Sequence, residues 1–112
     1  MAFPIKQQKD LQVNVTTVAG ATYTVLRTDD IIHSTYSATG AVTITIPTAL
    51  MAEKKTFTIK DAGFNAGTYS ITIDTEAGEK IDNEDTYVIS LDGDSVTLVS
   101  NGSNWYILWY GF

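Results

Sequence analysis

Ser95-Val-Thr-Leu-Val-Ser-Asn-Gly-Ser-Asn-Trp-Tyr-Ile-Leu-Trp-Tyr-Gly-Phe112 is the stretch whose reading decides the fold. Two runs of β-formers flank Asn101-Gly102, a dipeptide that tolerates positive φ, so the pattern predicts a hairpin closed by a type I′ turn. In the first run Val96 and Leu98 point one way, and Ser95 and Thr97 the other. The second run has no polar face. A period of two puts Trp105, Ile107 and Trp109 on one side and Tyr106, Leu108 and Tyr110 on the other. A strand that is apolar on both sides must lie between two layers.

Upstream, short β-runs recur with turn signals between them. They are Thr22–Leu26, Ile31–Tyr36, Val42–Ile46, Thr56–Asp61, Tyr69–Asp74 and Thr86–Ser90. In Val42-Thr-Ile-Thr-Ile46 the apolar residues alternate with threonine, and Pro47 ends the run because it cannot donate to a ladder. Thr48 to Lys54 is the only helix-compatible piece and has room for a turn or two. Ile81 reads as an isolated core anchor beside the acidic loop Asp82-Asn-Glu-Asp85. This spacing predicts an all-β fold, an antiparallel β-sandwich or barrel-like module, since most connections look too short for parallel crossovers. The module is expected over residues 19–112. Residues 1–18 are expected to form a short N-terminal arm, ending in a possible edge strand over Leu11–Val18. Phe3, Pro4 and Ile5 are its apolar docking residues; a frayed terminus is the alternative.

Composition narrows the function. The 112 residues carry a formal charge of −6, and the seven basic side chains are scattered. No basic stripe is present to neutralise phosphates, so neither nucleic acid nor an anionic membrane is an expected partner. No apolar run approaches the length of a membrane span, so membrane insertion is not expected either. The first ten residues hold no apolar core of signal-peptide length, which predicts synthesis without an export signal. With no cysteine, disulfides and thiolate chemistry are excluded.

Reaction chemistry finds little support. His33 is the only histidine; its neighbour Ser34 points to the opposite face of a strand, so the two do not form a nucleophile–base pair. Asp29-Asp30, Asp82–Asp85 and Asp92-Gly-Asp94 read as solvated turns, because aspartate favours turns for backbone reasons. None is a calcium loop by itself. No acid sits in an apolar setting that would tune it for catalysis. The chain is therefore expected not to be an enzyme and to need no cofactor or metal. Asn14-Val-Thr16 and Asn101-Gly-Ser103 match the glycosylation triplet, which has no meaning without export.

The aromatics are the informative group, with Trp105, Tyr106, Trp109, Tyr110 and Phe112 crowded at the end. They can form a monomer core, a stacking platform for sugars, or a subunit interface, where tryptophan and tyrosine are enriched. The two-faced strand favours the interface, with Trp105, Tyr106, Leu108, Trp109, Tyr110 and Phe112 as its residues.

The order Tyr23-Thr-Val25, Asp30-Ile31, Gly40-Ala-Val-Thr-Ile-Thr-Ile-Pro47, Phe57-Thr-Ile-Lys-Asp-Ala-Gly63, Tyr69-Ser-Ile-Thr-Ile73 and Ser95 to Ile107 resembles a β-module that recurs in bacteriophage tail fibres and other virion surface proteins. The resemblance implies a homotrimer with a structural or adhesive role in the virion, assembled in the host cytoplasm, with no cofactor and no catalytic residue. In fibres the module usually sits on a long chain that supplies the shaft. A short chain suits a capsid decoration (cement) protein or spike that docks on a major capsid or tail protein through its arm or base. A tail-fibre module that recognises host surface glycans is the alternative.

Overall fold

The computed structural model describes residues 13–38, 40–52 and 55–111. Five strands form one sheet, in the order β1 (Val15–Val18), β3 (Ile31–Ser34), β5 (Thr56–Asp61), β8 (Ser95–Ser100) and β9 (Trp105–Gly111). Four form the other, in the order β2 (Thr22–Thr24), β4 (Val42–Ile46), β6 (Ile71–Thr75) and β7 (Tyr87–Ile89). The sheets pack face to face as an open sandwich, not a closed barrel. The helix-compatible piece is a single 3-10 turn, Thr48–Met51, directly after Pro47.

The all-β expectation holds, but the sheets are mixed rather than antiparallel. β1 pairs with β3, β3 with β5, β2 with β4, and β4 with β6, all parallel. Only β5–β8, β6–β7 and β8–β9 are antiparallel. The sequence expectation assumed that neighbouring strands pair. Instead the first six strands alternate between the sheets, so each parallel crossover carries a strand of the opposite sheet within it. That satisfies the length a parallel connection requires without any helix. The chain therefore winds as three turns of a flat two-sided coil, and an antiparallel hairpin closes the end of the larger sheet.

Parallel register stacks like on like. Ile32 lies beside Ile59 in the larger sheet, and Ile44 beside Ile73, with Val42 beside Ile71, in the smaller one. These side chains are fully buried, together with Phe57, Ile89, Val96 and Leu98. β-Branched residues suit this geometry because their stiff side chains pack well on a pleated surface. Ile81 is buried as the isolated anchor its sequence setting predicts. On the solvent side of the smaller sheet, Thr22, Thr43 and Thr72 line up across three strands.

The folded unit begins earlier than residue 19. Val15–Val18 is strand β1, an edge strand as the alternation predicts, with Val18 buried, so the folded unit extends back past residue 18. Asn14 fastens its start: its backbone N–H donates to Asp30 Oδ2 and its side-chain amide to Thr28 O, both at 2.8 Å. Phe3, Pro4 and Ile5 lie outside the described residues.

Asp29, expected in a solvated turn, is instead a buried fastener, and Asp61 at the end of β5 is a second. Asp29, 2% exposed, accepts from Thr16 Oγ1 and Tyr23 Oη at 2.6 Å and from the Leu26 N–H at 2.8 Å. It joins β1, β2 and the following turn. Asp61 accepts from the N–H groups of Ala66 and Gly93, tying two loops to the end of β5. A buried carboxylate persists because several donors replace its water.

Burial, then the hydrogen bond to Asp29 and its charge, push the Tyr23 phenol up to about 12. Its folded value exceeds its ordinary one, so the stabilisation is complete below pH about 10 and fades as pH rises towards 12. Urea unfolding across that window should show a pH slope that is smaller in Tyr23→Phe; equal slopes would mean that Tyr23 is not linked to folding.

Candidate functional site

The closing hairpin forms where its sequence predicts, with a different turn. Strand β8 ends at Ser100 and β9 starts at Trp105, leaving a loop over residues 101–104. Asn101 does not take positive φ; Gly102 does, at 98°. The Asn101 side chain organises the loop, its Oδ1 accepting from the N–H groups of Ser103 and Asn104 at 2.9 and 3.0 Å. An Asx turn thus replaces the two-residue type I′ turn. Asparagine's carbonyl reaches N–H groups further along the loop and closes it without a second left-handed residue.

The faces of β9 also differ from a strict period of two. Tyr106 pairs with Val99 and Ile107 with Leu98, but Thr97 then pairs with Trp109, so a bulge at Leu108 breaks the alternation. Such an extra residue shifts every later side chain by one face. Trp109 is thereby placed on the outward side with Tyr106 instead of the inward side with Trp105. No glycine or proline at 107–109 signals the bulge, so the spacing of residues could not reveal it.

Trp105 was expected at a subunit interface, and the structure corrects this. It is 0% exposed and packs edge-on against Phe57 at 5.4 Å between ring centroids, so the chain's own core takes it up. Ile107 is half-buried against the same core. The other expected interface residues that can be described are at the surface. Tyr106 is 42% exposed, Leu108 61%, Trp109 52% and Tyr110 65%. Phe112 lies outside the described residues.

Of these side chains, Tyr106 and Trp109 crown a flat outer face. Register aligns Val15, Ile31, Thr58, Thr97 and Trp109 in one row, with Thr56, Val99 and Tyr106 in the next. The hydroxyls of Thr58 and Thr97 bond each other at 2.8 Å, which lowers their demand for water. Lys60, which register places on this same side, sends its ammonium to Gly93 O and over the Phe64 ring, 5.5 Å from its centroid. Trp109 lies along the strand end. A Cβ placed on Gly111 would stand 3.5 Å from its Cη2, and at φ 132° that position favours glycine. Tyr110 points towards the side of Val96; burial first, then the charges of Asp94 and Tyr110, raise the Tyr87 phenol.

The polar candidates do not converge on a site. Asp29 and Asp94 are buried, the latter capping the Ser95 N–H at 2.8 Å. Lys80 pairs with Asp85 at the surface. The hydrogen bond from the Asn14 N–H holds the Asp30 carboxyl below the usual carboxylate range, with Lys55 contributing. Among the described residues no three His, Asp or Glu side chains are placed to hold a metal ion, and no helix is long and apolar enough to cross a membrane. His33 sits half-buried in register with Lys60. Comparison with protein-family models and with curated proteins finds no match to the chain.

Two expectations follow. In the isolated chain, acrylamide should quench Trp109 and leave Trp105 dark to it, so Trp109→Phe should remove the quenchable fraction; quenching retained in that variant would place Trp105 at the surface. Among the described residues, the Trp105 Nε1–H is the one buried side-chain polar atom without a hydrogen-bond partner. Trp105→Ala should therefore cost about 3–5 kcal/mol, and Trp105→Phe distinctly less, because it also deletes an unsatisfied donor. Equal losses in chemical denaturation would contradict this.

Proposed function

We propose that this protein is a structural component of a bacteriophage particle, a homotrimer that docks on the particle surface as a capsid decoration or spike protein. The observation that carries the reading is the run of exposed apolar side chains Tyr106, Leu108, Trp109 and Tyr110 on an edge strand whose first residue, Trp105, is rooted in the core. Each would gain up to roughly 1.5–3 kcal/mol on burial, so association between copies is the natural use of the surface. The residue pattern shared with virion surface modules supplies the particle, the trimer and the docking partner, a major capsid or tail protein. Phe3, Pro4 and Ile5 are proposed to grip that partner.

A second reading shares the same surface. Bulge-shifted Trp109 and Tyr106 face outward together, as a platform stacking on host glycans in a tail fibre would require. The readings separate in the assembled protein: an interface shields Trp109 from acrylamide, and a glycan platform leaves it open.

Light scattering should give three times the 12.2 kDa chain mass at micromolar concentration, and Tyr106→Ser with Trp109→Ser should return a folded single chain. Cosedimentation with undecorated particles tests docking. A parent that stays a single chain would remove the trimer, and failure to cosediment with capsids or tails would remove the virion role.

A further inference from the structure

The free edge of β9 is occupied by the chain itself. The N–H of Trp105 donates to Lys80 O at 2.8 Å, and the Asp82 N–H donates to Trp105 O at 3.0 Å. With the Ile81–Trp105 bridge, this is the start of a parallel ladder between residues 80–82 and the edge strand. In such a ladder the next bond would run from the Ile107 N–H to the backbone carbonyl of residue 82. Here the backbone has turned away. Asp82 and Asn83 both hold positive φ, 47° and 71°, and the Glu84 N–H folds back onto Ile81 O. The Asp82 side chain takes the vacant place, with Oδ1 accepting from the Ile107 N–H at 3.0 Å.

We propose that Asp82 is an edge guard: its carboxylate stands in for one more residue of strand, ends the sheet at Ile107, and keeps the extended chain of a second copy from pairing there. Two consecutive left-handed non-glycine residues cost conformational energy, and they place this one group. Covering an unpaired strand edge with a loop of the chain itself, so that its N–H groups are already taken, is a recognised means of blocking edge-to-edge pairing. The bulge at Leu108 acts in the same direction, twisting the strand immediately beyond the guarded N–H. Partners are thereby directed to side chains on the outer face and away from the backbone edge. The inference does not depend on which particle or ligand that face meets.

Asp82→Gly tests the guard with least strain, since glycine adopts this φ freely. The Ile107 amide should exchange with solvent about tenfold faster than in the parent, from the loss of one charged hydrogen bond. The variant should also grow beyond the parent's mass over days, with an intermolecular β-sheet band in the infrared. Asp82→Asn, which keeps an acceptor oxygen, should behave as the parent. Growth in both variants would assign the effect to lost charge and overturn the guard. A Gly variant that holds the parent's mass and Ile107 protection would overturn it as well. The parent alone gives a check independent of variant folding: its Ile107 amide must exchange slowly although it lies on an edge strand, and fast exchange there refutes the proposal.

Discussion

The structure depends on the interlocking of two sets of stiff aliphatic side chains. Ile32, Ile59, Val96 and Leu98 from one sheet meet Ile44, Ile71, Ile73 and Ile89 from the other, all essentially removed from water. Because the strands that carry most of them run parallel, Ile59 rests on Ile32 and Ile73 on Ile44, each one turn of the coil away. That stacking leaves little freedom to slide. A slip of one residue would turn a whole row outward, which a sandwich with one wet face on each sheet cannot tolerate. Everything at the surface, including the edge strand and its aromatics, is positioned by this register.

Much of the architecture was legible because period-two alternation is a direct consequence of strand geometry. Val42–Ile46, Thr56–Asp61 and the closing hairpin show in the residue pattern almost as they fold. Pairing was not legible. Whether Ile71-Thr-Ile73 joins the strand before it or the one two back depends on which partner completes the core, and a one-dimensional pattern does not contain that choice. The Asn-Gly signal located the hairpin correctly and misjudged its turn, because the carboxamide of Asn101 offers the backbone a competing partner.

The candidate surface was legible in the same partial way. Aromatic crowding marked the right strand, yet composition alone could not tell that Trp105 belongs to the interior and Trp109 to the exterior. Their separation depends on the one unpaired residue at Leu108. The acidic turns show the opposite failure. Asp29, Asp94 and Asp82 look alike as loop aspartates, but the first two are buried acceptors and the third completes a ladder. Which N–H groups an aspartate can reach is a property of the folded backbone, and only the structure reveals it.

The bulge has an evolutionary corollary. Loss of the single codon for Leu108 would remove the one residue that the ladder leaves unpaired, so Ile107 would stay opposite Leu98, Trp109 opposite Thr97 and Tyr110 opposite Val96. A chain built this way can absorb a one-residue change in length at that point and keep both its fold and the sides on which its aromatic rings lie. Close variants of such a module would then differ in length at this strand far more readily than in the face they present.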